Sequence, residues 1–142
     1  MQYKGENYND SRKKGNAYLS SVTKDKPQGS DMERGTVHNV SGTLIITGGT
    51  IIGSKQQAVS NEATLTIGVK DGNINTSSPV LMGEVTGLKS TGTFNFYDGI
   101  FKGKTTAFNA TITDKEDNSE VLNGTEVISG VTYKTATLKF NE

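Results

Sequence analysis

The chain contains no cysteine and no tryptophan, and its only histidine is His38. Without cysteine it forms no disulfide bond, no thiolate metal site and no cysteine nucleophile. A single histidine excludes a metal site built on several imidazoles. No run of about 18 apolar residues is present, so the sequence predicts no membrane-spanning helix. These absences exclude several common kinds of catalytic and metal chemistry.

Apolar residues are also scarce. Only 32% of the 142 residues are hydrophobic, whereas 17 are glycine and 2 are proline. A globular domain with so few apolar side chains has difficulty offsetting its loss of chain entropy. A repetitive β fold needs fewer of them, because each turn of the chain stacks on the next and buries a narrow row of side chains. The frequent Thr, Val and Ile favour β-strands over disorder.

The net charge is zero, but the two ends of the chain differ in sign. Residues 1–30 carry six basic and three acidic groups, and residues 111–142 carry three basic and six acidic groups. No basic stripe is present, so we expect no binding to nucleic acid. The opposite charges suggest head-to-tail self-association as one hypothesis. The alternative is two solvated termini.

The strongest pattern is an internal repeat. Ser41–Gly53 recurs without a gap as Thr91–Gly103, and Glu62–Gly68 is a partial copy. The corresponding apolar positions of the three copies are spaced by 21 and 29 residues, at Leu44, Leu65 and Phe94. Spacings in this range predict the coils of a β-solenoid with loops of variable length.

Glycines separate the short β-type runs of each copy. Glycine permits the positive φ that sharp bends require, so we expect these positions to be corners of a coil. Gly48-Gly49 also suits the turn of a two-residue hairpin. Repetition of the whole unit favours the corner.

The sequence therefore predicts an all-β fold in three parts. Residues 1–34 form a polar N-terminal extension or cap, residues 35–110 form the solenoid repeats, and residues 111–142 form a C-terminal β-hairpin cap. The hairpin is expected because two β-rich runs flank Ser129-Gly130. The repeats correspond to about three to four coils of about three strands each.

Three segments resemble repeats of large extracellular or cell-surface proteins of anaerobic gut bacteria: Gly42–Ile51, Gly92–Gly103 and the closing Gly130–Lys139. The resemblance covers roughly residues 35–140. It implies a right-handed parallel β-helix on a bacterial surface or secreted protein. Met1 is followed by Gln-Tyr-Lys-Gly, which is no signal peptide. The protein is then either intracellular or a piece of a longer secreted chain, and we expect the second.

Catalytic and metal-binding patterns are weak. A glycosidase needs two carboxylates that face one groove, whereas Asp71, Glu84 and Asp98 are scattered over the predicted corners. The acidic stretch Asp114–Glu120 lacks the glycine spacing of an EF-hand, so we interpret it as a solvated loop. We expect no enzyme activity, no cofactor and no metal.

Candidate ligand contacts are Tyr97, Asp98 and Tyr133. Tyr97 and Asp98 lie where the second copy departs from the first. Tyr97, Phe101 and Tyr133 are candidates for an aromatic platform that binds sugars. The alternative for Phe94, Phe96 and Phe101 is the core, which their alternation favours.

These observations predict a non-catalytic structural or adhesin-like module, extracellular or at the cell surface. Its expected partners are glycans or host and cell-surface proteins. One alternative is a carbohydrate-binding or carbohydrate-active β-helix. A second alternative is a self-assembling filament subunit.

Overall fold

The computed structural model describes residues 16–19, 23–24, 36–53 and 56–141. All regular structure in this part of the chain is β-strand. The strands are β1 (Asn16–Leu19), β2 (Thr23–Lys24), β3 (Val37–Asn39), β4 (Thr43–Ile46), β5 (Thr50–Gly53), β6 (Gln57–Asn61), β7 (Thr64–Ile67), β8 (Val80–Gly83), β9 (Thr86–Ser90), β10 (Thr93–Phe96), β11 (Ile100–Gly103), β12 (Thr106–Asn109), β13 (Asp114–Lys115), β14 (Ser119–Ile128) and β15 (Val131–Phe140).

The strands form three sheets that the chain visits in turn. Sheet 1 has the order β1-β4-β7-β10-β13, and sheet 3 has the order β12-β9-β6-β3, with every neighbouring pair parallel. In sheet 2, β2, β5, β8 and β11 are parallel, and β15 and β14 follow as antiparallel strands. This all-β arrangement of parallel sheets is consistent with a solenoid.

Register along the sheets follows the spacing found in the sequence. Leu65 pairs with Leu44 on one side and with Phe94 on the other, as the spacings of 21 and 29 predict. The strands β4 and β5, which flank Gly48-Gly49, belong to different sheets. The interpretation of these glycines as a corner, rather than a hairpin turn, is therefore confirmed.

The core is a set of stacked apolar columns between the three sheets. Phe94, Phe96 and Phe101 are fully buried, which confirms their assignment to the core. Phe101 meets Phe94 edge-on, with ring centroids 5.5 Å apart, and meets Phe108 at 5.3 Å. Burying a side chain of this size contributes about 1.5–3 kcal/mol. Few apolar residues suffice because each is enclosed by strands on several sides.

Buried asparagines form a polar ladder where sheet 3 turns into sheet 1. The Asn39 amide donates to Asn61 Oδ1 (2.8 Å), and the Asn61 amide donates to Ser90 Oγ and to the Thr93 carbonyl (2.9 Å each). Buried polar groups are costly unless they are hydrogen-bonded. The ladder meets this requirement for both amide groups and for Asn61 Oδ1, whereas Asn39 Oδ1 is buried without a hydrogen-bond partner among the described residues.

Two kinds of glycine make the corners. Gly42, Gly49 and Gly99 have positive φ, in agreement with the sequence prediction. A different column, Gly53, Gly83 and Gly103, lies in register where sheet 2 turns into sheet 3. A Cβ at these three positions would lie 2.1, 1.8 and 2.0 Å from a backbone carbonyl oxygen. Glycine is needed at these three positions because a carbonyl group of the backbone a few residues further on leaves no room for a Cβ.

The predicted C-terminal hairpin is present. The ten-residue strands β14 and β15 pair along their whole length, and Ser129 and Gly130 between them both have positive φ. Ala136 and Leu138 on β15 are buried against the core, with Ala136 opposite Phe101. The base of the hairpin therefore covers the end of the core beside sheet 2.

The parallel ladders extend on both sides of residues 35–110. At the N-terminal side β1 pairs with β4 and β2 pairs with β5, and at the C-terminal side β13 pairs with β10. The other residues of the predicted extension 1–34 lie outside the described residues.

We predict that Gly83→Ala destabilises the protein by about 1–3 kcal/mol, because the added Cβ collides with the Thr86 carbonyl at 1.8 Å. Gly124→Ala is the control, since its Cβ would lie 3.3 Å from the rotatable Thr135 hydroxyl. We expect the control to change stability by less than about 0.5 kcal/mol. Urea unfolding followed by circular dichroism measures both. Equal stabilities of the two variants would contradict the close approach.

Candidate functional site

Tyr97 is part of a small polar cluster on the outer side of sheet 1. Its hydroxyl donates to Asp114 Oδ2 at 2.7 Å, and Asp114 lies on β13, the neighbour of β10. The Lys70 ammonium lies 3.2 Å from the same oxygen, 3.4 Å from Asp117 Oδ1 and 5.8 Å from the centre of the Tyr97 ring. Three separate segments of the chain therefore meet at the Asp114 carboxylate.

The cluster shifts the pKa values of its members in consistent directions. The pKa of Asp114 is lowered, first by the hydrogen bond from Tyr97 and then by the one from Lys70. Burial raises the pKa of Tyr97 to about 12, and the hydrogen bond to Asp114 adds to the effect. The pKa of Lys70 is raised chiefly by its hydrogen bond to Asp114. At neutral pH the cluster is a neutral phenol beside an ion pair, which stabilises the contact between the three segments.

Asp98 holds the long loop between β7 and β8. Its carboxylate accepts the backbone N–H groups of Asn75 (3.0 and 3.1 Å), Thr76 (3.0 Å) and Gly99 (2.8 Å). Thr76 has a positive φ of 61°. The carboxylate thus satisfies the amides of a bent backbone that pairs with no strand. Both oxygens of the Asp98 carboxylate accept these hydrogen bonds.

Glu116 corrects the interpretation of residues 114–120 as a solvated loop. Asp114 and Lys115 form a strand, and the Glu116 side chain is only 2% exposed. One Glu116 oxygen accepts the N–H of Gly72, and the other is buried without a hydrogen-bond partner among the described residues. The solvated interpretation was wrong for Glu116, because the loop that precedes β8 covers it, whereas Asp117, Asn118 and Glu120 are exposed as expected.

Tyr133 and Tyr97 lie at opposite ends of β11. Tyr97 precedes this strand, whereas Tyr133 on β15 is next to Lys134, which pairs with Gly103 at the last position of β11. Tyr133 is 9% exposed and Phe101 is fully buried. The structure therefore does not bring Tyr97, Phe101 and Tyr133 together as an aromatic platform.

Other close contacts between ionisable side chains of the described residues also join neighbouring turns of the chain. Lys102 and Glu126 lie 3.0 Å apart and join β11 to the hairpin, and Lys104 contacts Glu84. His38 Nε2 lies 2.5 Å from Glu62 Oε2 across sheet 3. Among the described residues, no three His, Asp or Glu side chains are grouped so that they could hold a metal ion. The geometry supports cohesion between strands.

A groove that sequence reasoning missed lies between β12 and the hairpin. We call it the β12 groove, and it has a volume of about 420 Å³. Its lining residues are Thr105, Thr106, Ala107, Phe108, Asn123, Gly124, Thr125, Lys134 and Thr135. The sequence pattern predicted the hairpin, but not the side of the solenoid on which the hairpin packs.

Comparison with known proteins identifies no relative of the chain. The chain matches no protein-family model, no curated protein and no solved structure. In the part of the chain that the structure describes, no helix has the length and hydrophobicity to cross a membrane.

We predict that Asp114→Asn lowers the pKa of Tyr97 below about 12 but not to its ordinary value, because burial, the largest cause of the shift, remains while the charged Asp114 acceptor is lost. A raised folded-state pKa means that the stability contributed by Tyr97 is complete below about pH 10 and is lost as the pH rises through about 12. Asp117→Asn is the control, because it also removes a carboxylate of the cluster, but one that contacts Lys70 and not the Tyr97 hydroxyl. A ¹³C NMR titration of the tyrosine Cζ atoms measures both. An unchanged Tyr97 pKa in Asp114→Asn would refute the assignment.

We predict that Asp98→Ala speeds hydrogen exchange at the Asn75 and Thr76 amides by about tenfold or more. Hydrogen bonds to a charged acceptor contribute about 1.5–3 kcal/mol, and these amides lose that acceptor. Asp71→Ala is the matched control in the same loop, because Asp71 accepts only the Asn73 amide among the bonds described. NMR measures the exchange. If these amides exchange equally slowly in both variants, Asp98 does not anchor the loop.

Proposed function

We propose that the chain is a rigid, non-catalytic structural or adhesin-like module of a bacterial cell-surface or secreted protein. In this proposal it forms one right-handed parallel β-solenoid of about three to four coils, closed by the C-terminal hairpin. Its role is to hold neighbouring domains apart or to present them.

One observation carries the proposal: three parallel ladders share one stacked core, and a hairpin covers the core at its C-terminal end. Strands in a sheet are about 4.8 Å apart, so the four strands of sheet 3 span about 15 Å of continuous backbone pairing. Stacked repeats of this kind behave as stiff one-dimensional arrays. Such a body suits the spacing of domains.

The right-handed sense and the surface location have separate grounds. Connections between parallel strands of one sheet are right-handed in about 98% of cases. The surface location rests on the resemblance of Gly42–Ile51, Gly92–Gly103 and Gly130–Lys139 to repeats of bacterial extracellular proteins. The ion pairs and loop anchors described above agree with a structural role, since they use the carboxylates of the corners for cohesion.

The two alternatives make different predictions about the solution behaviour. A carbohydrate-binding or carbohydrate-active β-helix requires an exposed site for sugars, for which Tyr97 is the half-buried aromatic candidate. A filament subunit requires the C-terminal end to accept the N-terminal end of another copy. Sheet 2 ends in antiparallel strands, which interrupt such a continuation.

For a module that only spaces other domains, we expect a glycan array to show no saturable binding and polysaccharide digests to show no release of reducing ends. Saturable binding that Tyr97→Ala abolishes, while Asp117→Ala retains it, would replace the structural role with the carbohydrate-binding one. Sedimentation of the same sample should give a monomer at low and at high salt. Salt-sensitive oligomers would support the filament subunit instead.

A further inference from the structure

We propose that the β12 groove is a docking site for an extended, acidic segment of a partner protein, which adds to sheet 3 as a strand beside β12. This mode of recognition is β-strand addition, in which main-chain hydrogen bonds supply affinity and side-chain pockets supply specificity. The inference depends on the fold alone and holds whether or not the chain is a surface module.

The edge of β12 is the open end of one sheet. Sheet 3 has the order β12-β9-β6-β3, and β12 pairs only with β9 among the described strands. At the same end of the molecule, sheet 1 is completed by β13 and sheet 2 by the hairpin. Unpaired strand edges are templates for a further strand. Here one such edge lies in a groove.

The walls of the groove are held in place. On one side β12 pairs with β9, and Phe108 packs edge-on against Phe94 and Phe101. On the other side β15 pairs with β11, and Ala136 and Leu138 are buried in the core. A preformed site loses little conformational entropy when a ligand binds. The groove does not need to open to accept a strand.

The lining of the groove suits an extended backbone. Four threonines and Gly124 are small enough to let another main chain approach the β12 edge. Ala107 and Phe108 provide an apolar surface beside the threonines, and Phe108 is only partly buried. A strand of four residues, the length of β12, spans about 13 Å. The occupant therefore has a β-rich sequence with an apolar side chain that faces Phe108.

Charge gives the occupant its second property. Among the described residues that line the groove, Lys134 alone is charged. Lys70, Lys102 and Lys104 each have a carboxylate partner, whereas Lys134 forms no ion pair with the described residues. A carboxylate on the incoming strand would complement it. This feature distinguishes the occupant from a neutral β-rich peptide.

A second copy of this chain fits less well. A copy stacked end to end would have to continue all three sheets, whereas β13 and the hairpin already end two of them. Residues 1–30 carry a net charge of +3, so an N-terminal segment of another copy would bring positive charge towards Lys134. A single strand from an acidic partner meets neither obstacle.

The test uses the whole ¹⁵N-labelled chain and two synthetic hexapeptides, Thr-Val-Glu-Val-Thr-Val and Thr-Val-Lys-Val-Thr-Val. We expect the acidic peptide to shift the amide resonances of Thr106–Asn109 in a saturable way and to bind more tightly than the basic one. Lys134→Ala should weaken the acidic peptide about two- to fivefold, as for an exposed ion pair. Lys139→Ala, on the same strand but outside the groove, should have no effect. Thr125→Trp should block binding by filling the groove.

Three results would overturn the proposal. The first is the absence of saturable shifts at Thr106–Asn109 with the acidic peptide at millimolar concentration, while circular dichroism shows a folded chain. The second is saturable binding of an oligogalacturonate at these amides in place of the peptide, which would make the groove a carbohydrate site. The third is a shift of the same amides with protein concentration alone, which would make it an interface between copies.

Discussion

In-register pairing of parallel strands is the constraint on which the whole structure depends. Most strands here have only four or five residues, too few to be stable alone, so each relies on the strands above and below it. Because the register is shared, residues at equivalent positions form columns. An apolar column such as Leu44, Leu65 and Phe94 fills the core, and the Asn39–Asn61 ladder links buried amides from one turn to the next at a corner.

The parts of the fold that could be predicted are those that recur along the chain. The Leu44, Leu65 and Phe94 column and the corner at Gly48-Gly49 were visible because the same pattern occurs in successive copies. The hairpin was visible because its turn signal is local, at Ser129-Gly130. Even so, the pattern did not distinguish glycines with positive φ from those such as Gly83, where the close approach of another backbone excludes a Cβ.

The candidate site could not be predicted to the same extent, because its contacts join segments without any shared pattern. Lys70, Tyr97 and Asp114 come from a loop, a corner and a short strand. Asp98 was identified as a departure from the repeat, but its partners at Asn75 and Thr76 lie in a loop that has no counterpart in the first copy. Glu116 is buried although its neighbours in the sequence are charged, a composition that favours exposure.

The loop of residues 68–79 shows how the fold tolerates insertions. The corner between sheets 1 and 2 has three residues at positions 47–49 and again at 97–99, but twelve at 68–79, and β5, β8 and β11 nevertheless pair residue for residue. Extra chain at this corner leaves the register of sheet 2 unchanged. A corner of this design can therefore lengthen from three to twelve residues without disturbing strand pairing. The corners alone set how far apart equivalent core positions lie along the sequence, so such a chain has no single period.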